Sequence, residues 1–338
     1  MSKRRRTDEP TAEENPVEPP PPTRSEEFWL YDGNIVLQAG NVQFKVHKGF
    51  LARHSSIFET ILSMPHTDDE PTVEECPVLK VHDEPEDIKN MLTAIYDKDH
   101  DTLSPLPFRV VASLVRLGKK YEMDSILRMG IARLKKEFPV NLFPWNFDRK
   151  LQAGASRIEG INTPAALVTL IELALECDIL WVLPSAYYRC CMDMEATLFG
   201  RGEGAASFTT PLSQGVPKLC YRAHQRLLEY QGKLAEAMSA ELIENSKCTS
   251  KFAEGRDDSV PDPGRCASGL WALKPNVRLT DMTPHRRSDL LKEELCNPCI
   301  GRIVRMSQKA MEEQWKNLPS FFDLPTWEEL KREYDHFN

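Results

Sequence analysis

Two periods of apolar residues run through the first part of the chain. Ile35, Leu37 and Ala39 occupy alternate positions, as do Val42, Phe44 and Val46, and a period of two predicts half-buried strands. Gly40-Asn41 between them is a two-residue hairpin signal, because both residues accept the positive φ of such turns. After His47 the spacing becomes helical, with Phe50, Leu51, Ile57, Phe58, Ile61 and Leu62 at the apolar positions. Ser56-Ile57-Phe58-Glu59 reads as a capping box that restarts a helix after Arg53-His54. A polar, acidic loop over 66–75 precedes a third strand at 77–81. Asp83-Glu84-Pro85-Glu86 then opens a helix with Ile88, Met91, Leu92 and Ile95 on one face. Phe108, Val111, Ala112 and Val115 mark the next helix. Leu127, Ile131, Leu134 and Phe138 mark another, which Pro139 stops. A hairpin, two helices, a strand and three helices make an α+β domain over 28–138.

Beyond it the pattern is mainly helical. Residues 139–162 carry Pro139, Pro144, Gly154 and Gly160, with Phe143, Trp145 and Phe147 among them, and read as a linker packed on a domain. Thr163-Pro164 starts a helix with Leu167, Leu170, Ile171, Ala174, Leu175 and Ile179 as its apolar set. A second helix is expected over 185–199, and 200–206 reads as a loop without phosphate-binding spacing. Residues 216–244 form a long helical stretch with Ala223, Leu227, Tyr230, Leu234 and Met238 on one side, completing a helical domain over 163–244. Periodicity fades over 245–299, although Thr283-Pro284 opens a helix through Glu294. The last segment, 300–338, holds a helix over 300–318 with Ile303, Met306, Ala310 and Met311 on its face. It ends with a capping box at Thr326-Trp327-Glu328-Glu329.

Composition narrows the class. The 338 residues are 41% hydrophobic and 28% charged, with a net charge of −8, which argues against general binding to nucleic acid or acidic membranes. No apolar run approaches the roughly 20 residues of a membrane helix, and the polar N-terminus is not a secretory signal. An intracellular protein, nuclear or nucleocytoplasmic, is expected. Residues 1–27 are proline-rich and dense in charge and read as a disordered tail. Within it Lys3, Arg4, Arg5 and Arg6 form a compact basic cluster, read as a nuclear import signal or as a solvated charged end.

Of nine cysteines only Cys76 precedes residue 177, and in a reducing compartment they do not suggest a disulfide framework. Cys296-Asn297-Pro298-Cys299 has the C-x-x-C spacing that sets two thiolates on one tetrahedral ion. Cys248 and Cys266 would supply a second pair for a structural zinc, with His285 as a substitute ligand. Buried reduced thiols are the alternative.

Several separated blocks resemble one family. They are Asn34-Ile35-Val36-Leu37; Phe44-Lys45-Val46-His47-Lys48; Leu51-Ala52-Arg53-His54-Ser55-Ser56-Ile57-Phe58; Ile95-Tyr96-Asp97; and Leu117-Gly118-Lys119-Lys120-Tyr121-Glu122-Met123. In this order they resemble a BTB/POZ domain, and in particular the large set of fungal BTB domain-containing proteins. The resemblance implies a short β-sheet capped by helices, here followed by a mostly α-helical C-terminal domain with a cysteine-containing irregular segment. It implies a non-enzymatic interaction fold, usually a homodimer. Its dimer contacts would fall on Lys48, Gly49, Phe50 and Leu51 and on Phe28, Trp29 and Leu30. The other reading of Phe28 and Trp29 is that they cover their own core. Members that recruit corepressors pair an acidic residue with a basic one in a pocket. Here Lys48 is basic but Asn34 is neutral, which removes the charge that would compensate a buried lysine. His47 reads as a structural residue held by a backbone partner.

An adaptor is therefore the leading reading, with cullin-type ubiquitin ligases among the partners that the resemblance implies. A nuclear transcription or chromatin regulator with a zinc-stabilised C-terminal module is the rival. Its basic patch, Lys274, Arg278, Arg286 and Arg287, is thin for phosphate-driven binding. For an enzyme the chain lacks a Gly-rich phosphate loop, a nucleophile elbow and a metal-hydrolase helix motif.

Overall fold

The computed structural model describes residues 21–64, 71–97, 104–142, 156–199, 215–243 and 296–337. The chain divides into two compact units, residues 1–93 and 94–338. The expected helix at 283–294, the loop at 200–206 and the aromatic segment at 143–147 lie outside the described residues.

In the first unit the expected hairpin forms. Strands β2 (Ile35–Ala39) and β3 (Val42–Val46) pair antiparallel, with Leu37 opposite Phe44, and Gly40 turns the chain at φ 53°. β5 (Cys76–Val81) adds to β2 in parallel, and the sheet order is β1-β3-β2-β5-β4. Because β2 is central, Ile35, Val36 and Leu37 are all buried, where the alternation had implied one wet face. Helix α1 (Lys48–His54) follows β3 directly. Helix α2 (Ser56–Ser63) follows with Ser55 as its cap, accepting from the Phe58 N–H at 3.0 Å. The expected box at Ser56–Glu59 is thus one residue late, because Ser55 holds the extended backbone that a cap needs and Ser56 is already helical.

The sheet extends further toward the N-terminus than the polar tail suggested. Residues 23–27 are not tail but belong to strand β1 (Thr23–Trp29), which pairs parallel with β3 through a bulge between Arg24 and Trp29. It is an edge strand that buries only Phe28, so it carries no alternating apolar signal. Main-chain bonds hold its ends, Thr23 N–H to Asn41 at 2.7 Å and Leu30 N–H to Lys45 at 2.9 Å. Inside the acidic loop a two-residue strand, β4 (Thr72–Val73), forms a tight hairpin with β5. Glu74 and Glu75 take the positive φ values, 52° and 64°, of that turn. The first unit closes into helix α3 (Pro85–Tyr96), within which the division falls.

The second unit is helical around one apolar core, joined by a short parallel pair, β6 (Leu106–Pro107) with β7 (Ile158–Glu159). α4 (Phe108–Lys120) and α5 (Asp124–Glu137) form a hairpin whose turn places Glu122 at φ 50° and bonds Met123 N–H back to Gly118 at 2.8 Å. Gly118 is required there: a Cβ would stand 2.7 Å from the Leu127 backbone nitrogen. α6 (Pro164–Glu176) starts on Thr163, which accepts from Ala166 N–H. It stops before Ile179, because Asp178 turns left-handed and Ile179 N–H returns to the Ala174 carbonyl.

A single helix was expected over 185–199. Instead a 3₁₀ turn (Leu180–Val182) leads into α7 (Leu183–Met192), and Asp193 breaks it from α8 (Met194–Phe199). Pro184 sits in the first turn of α7, where its missing N–H costs nothing, so it starts the helix rather than preceding it. α9 (Gly215–Ile243) buries Val216, Cys220, Ala223 and Leu227 in the core, with Tyr230 and Leu234 packed against it. α10 (Asn297–Asn317) begins three residues earlier than expected, again with proline in its first turn, and passes through a 3₁₀ turn (Leu318–Phe322) to α11 (Trp327–His336). The capping box at Thr326 is present, and Trp327 stacks on Trp315 at 5.0 Å.

Candidate partner-binding surface

The turn between β1 and β2 is built onto the start of α1. Gly33 N–H bonds Leu30, Asn34 N–H bonds Val46 at 2.9 Å, and a Cβ at Gly33 would meet Lys45 Cγ at 2.8 Å. The first helical N–H of α1, at Lys48, donates to Asn34 Oδ1 at 2.8 Å. His47, the residue in the cap position, has no side-chain cap bond of its own, so Asn34 caps the helix from the β1–β2 turn. His47 Nε2 lies 3.1 Å from Asp32 Oδ1. Tyr31, between these anchors, is 94% exposed. Farther along α1 the Phe50 and His54 rings meet edge to face at 5.2 Å. Partial burial, with Arg53 adding to it, holds the His54 imidazole below its ordinary pKa.

A second anchor spans the sheet. Lys45 is nearly buried, and its Nζ donates to Glu74 Oε2 at 3.0 Å, while Arg24 reaches the other oxygen at 2.7 Å. The Lys45 hydrogen bond is the main reason that the Glu74 carboxyl sits below the usual carboxylate range. Arg24 also lies over the Trp29 ring, 4.4 Å from its centroid. One carboxylate thus ties β1 and β3 to the β4–β5 turn.

The residues named from sequence fall into three groups. Lys48 and Gly49 are exposed; Trp29, Leu30 and Phe50 are half-buried; Phe28 and Leu51 are buried in the chain's own fold. Asn34 and Lys48 do meet, but through the Lys48 backbone, and the buried lysine of this region is Lys45. Residues 3–6, Cys248, Cys266 and His285 lie outside the described residues. Cys296 occupies the position before α10 without a side-chain cap bond, and Cys299 is buried in the first turn. Among the described residues no three His, Cys, Asp or Glu side chains converge as metal ligands. Glu74 and Tyr31 went unnoticed in the sequence: Glu74 is 29 residues from Lys45, and nothing local marks Tyr31 as exposed.

A small mixed sheet carries short helices after its hairpin and is followed by the α4–α5 pair, in the order already described. The family model for the BTB/POZ domain matches residues 30–137. This segment is a BTB/POZ domain. No curated protein and no solved structure matches the chain. The BTB domain is a module for protein–protein interaction and dimerisation rather than catalysis. Its match begins at Leu30, so most of β1 precedes it. The remainder of the chain is mostly helical, and no described helix is long and apolar enough to cross a membrane.

Proposed function

We propose that the chain is an adaptor that pairs with a second copy of itself through the rim formed by Trp29, Leu30, Tyr31, Lys48, Gly49 and Phe50. The observation that carries this reading is Tyr31, an aromatic left 94% exposed on a turn held rigid by the Asn34 cap. Aromatic side chains are enriched in interface cores, and a pre-ordered rim loses little entropy when it is covered. Phe28 and Leu51 support the rim from beneath rather than touching the second copy. The BTB domain would also recruit a partner, a cullin-type ligase scaffold being the class proposed, and the helical C-terminal region would present a second surface. The test is co-expression of tagged and untagged full chains. The tagged copy should retain the untagged one, and Tyr31→Asp should abolish retention. Equal retention by that variant would place the contact elsewhere.

A further inference from the structure

Helix α9 has a second face, opposite the one it buries. Val216, Cys220, Ala223 and Leu227 enter the core. On the other side Tyr221, Gln225, Leu228 and Gly232 follow the helical spacing i, i+4, i+7, i+11, and all four are exposed. Tyr221 is 53% exposed and Leu228 48%, and large apolar side chains this exposed are few among the described residues. A Cβ built on Gly232 meets nothing within 4 Å, so the backbone there is open to a close approach. One flank of the stripe carries charge in a set order. Lys218 and Arg222 stand toward the N-terminus and Glu229 and Glu236 toward the C-terminus, each of them exposed. Arg226 and Lys233 lie farther round the helix, and Arg226 is already bonded to Asp323 at 2.9 Å.

We propose that this stripe pairs antiparallel with the same stripe of a second copy, as a second and weaker contact of the pair joined at the BTB rim. The charge order decides the direction. In antiparallel helices like flanks face one another, so Lys218 and Arg222 of one copy meet Glu236 and Glu229 of the other, and the two-fold axis makes each pair twice. In a parallel pair the charged flank would face His224 and Gln231, which offer its lysine and arginine no carboxylate. The antiparallel register lays Tyr221 over Gly232 of the second copy, where no side chain stands in its way, and sets Leu228 beside Gln225.

Size decides the rank of the contact. About three turns of helix bury less than the roughly 1,000 Å² that a stable interface needs, and exposed ion pairs add little each. The stripe therefore does not join two copies by itself. Copies already joined at the rim hold their α9 helices at a high effective concentration, the condition under which a contact of this size forms. The inference thus rests on the rim, and Tyr31→Asp remains enough to separate the copies.

Full-length protein is treated with a carbodiimide, which joins an amine to a carboxylate only where the two touch, and is then digested with trypsin. Lys218 and Glu236 stand about five turns apart on one helix, about 27 Å, so a bond between them comes from two copies. The expected product joins residues 202–222 to residues 234–247 through these two side chains, since trypsin no longer cleaves at the modified Lys218. Leu228→Glu should abolish that product while light scattering still gives twice the monomer mass. A wild-type dimer without the product, or with a yield unchanged in Leu228→Glu, overturns the α9 contact and leaves the rim standing. A wild-type chain that is monomeric and gives no product overturns both. The wild-type experiment stands alone if the variant fails to fold.

Discussion

The ion pair between Glu137, at the end of α5, and Arg189, in α7, should be the most sensitive electrostatic contact of the helical unit. Arg189 reaches Glu137 Oε1 at 3.0 Å and the Glu137 carbonyl at 3.1 Å, and it lies over the Phe138 ring at 4.3 Å. The other carboxylate oxygen accepts from Ser156 at 3.0 Å. The side chains are only 6% and 9% exposed, so neither charge has much water to fall back on. At 3.0 Å and an effective dielectric near 20 the attraction is about 5 kcal/mol, and desolvation of both ions offsets most of it. Breaking the pair is a different matter from its net worth, because the survivor stays buried and unmatched. Glu137→Ala or Arg189→Met should each cost about 3–5 kcal/mol, and the double variant much less than their sum. Urea denaturation of full-length protein, compared with m held constant, measures all three. Single-variant losses under about 1 kcal/mol would mean a solvated pair of the surface kind and would refute the reasoning.

Three further outcomes follow from local geometry. Burial raises the Glu333 carboxyl from 4.5 to about 7, against the pull of the Leu180 N–H that it accepts at 2.9 Å. The folded state therefore binds more protons than the unfolded one between pH 4.5 and 7, and stability falls as pH rises through that window. With the site partly exposed, Glu333→Gln should gain roughly 1 kcal/mol above pH 7 and nothing below pH 4.5, read from melting curves across pH; a gain at low pH would contradict this. Gly118→Ala should destabilise by about 1–2 kcal/mol, since its Cβ strikes the Leu127 backbone, whereas Gly232→Ala in α9, with open space, should stabilise by up to about 1 kcal/mol. Equal Tm shifts for the two would remove the close-approach argument. Glu75→Gly should relieve about 1 kcal/mol of left-handed strain in urea unfolding, whereas Glu74→Gly should lose stability with its Lys45 and Arg24 contacts; a loss in both variants would mean the turn carries no strain.

How much of this was legible depended on how local each signal was. The β2–β3 hairpin could be read because alternating apolar residues and Gly40-Asn41 sit next to one another. The helices of the second unit were evident from their faces, and Thr163 and Thr326 from their caps. β1 was hidden because main-chain pairing, not apolar side chains, holds an edge strand with one buried residue. The helices holding Pro184 and Pro298 start two and three residues earlier than expected, since the first turn accepts proline. For the proposed rim the resemblance supplied candidate positions, of which Phe28 and Leu51 are buried, Trp29, Leu30 and Phe50 half-buried, and Lys48 and Gly49 exposed. What joins distant positions, Asn34 to Lys48, Lys45 to Glu74 and Glu137 to Arg189, has no local mark and appears only once the chain is folded.

The mass of the full-length chain in solution, by light scattering over a range of concentrations, tests the adaptor account most directly. The account predicts twice the monomer mass for wild type and a shift to monomer for Tyr31→Asp with unchanged circular dichroism. A wild-type chain that remains monomeric at the highest concentration reached would contradict it.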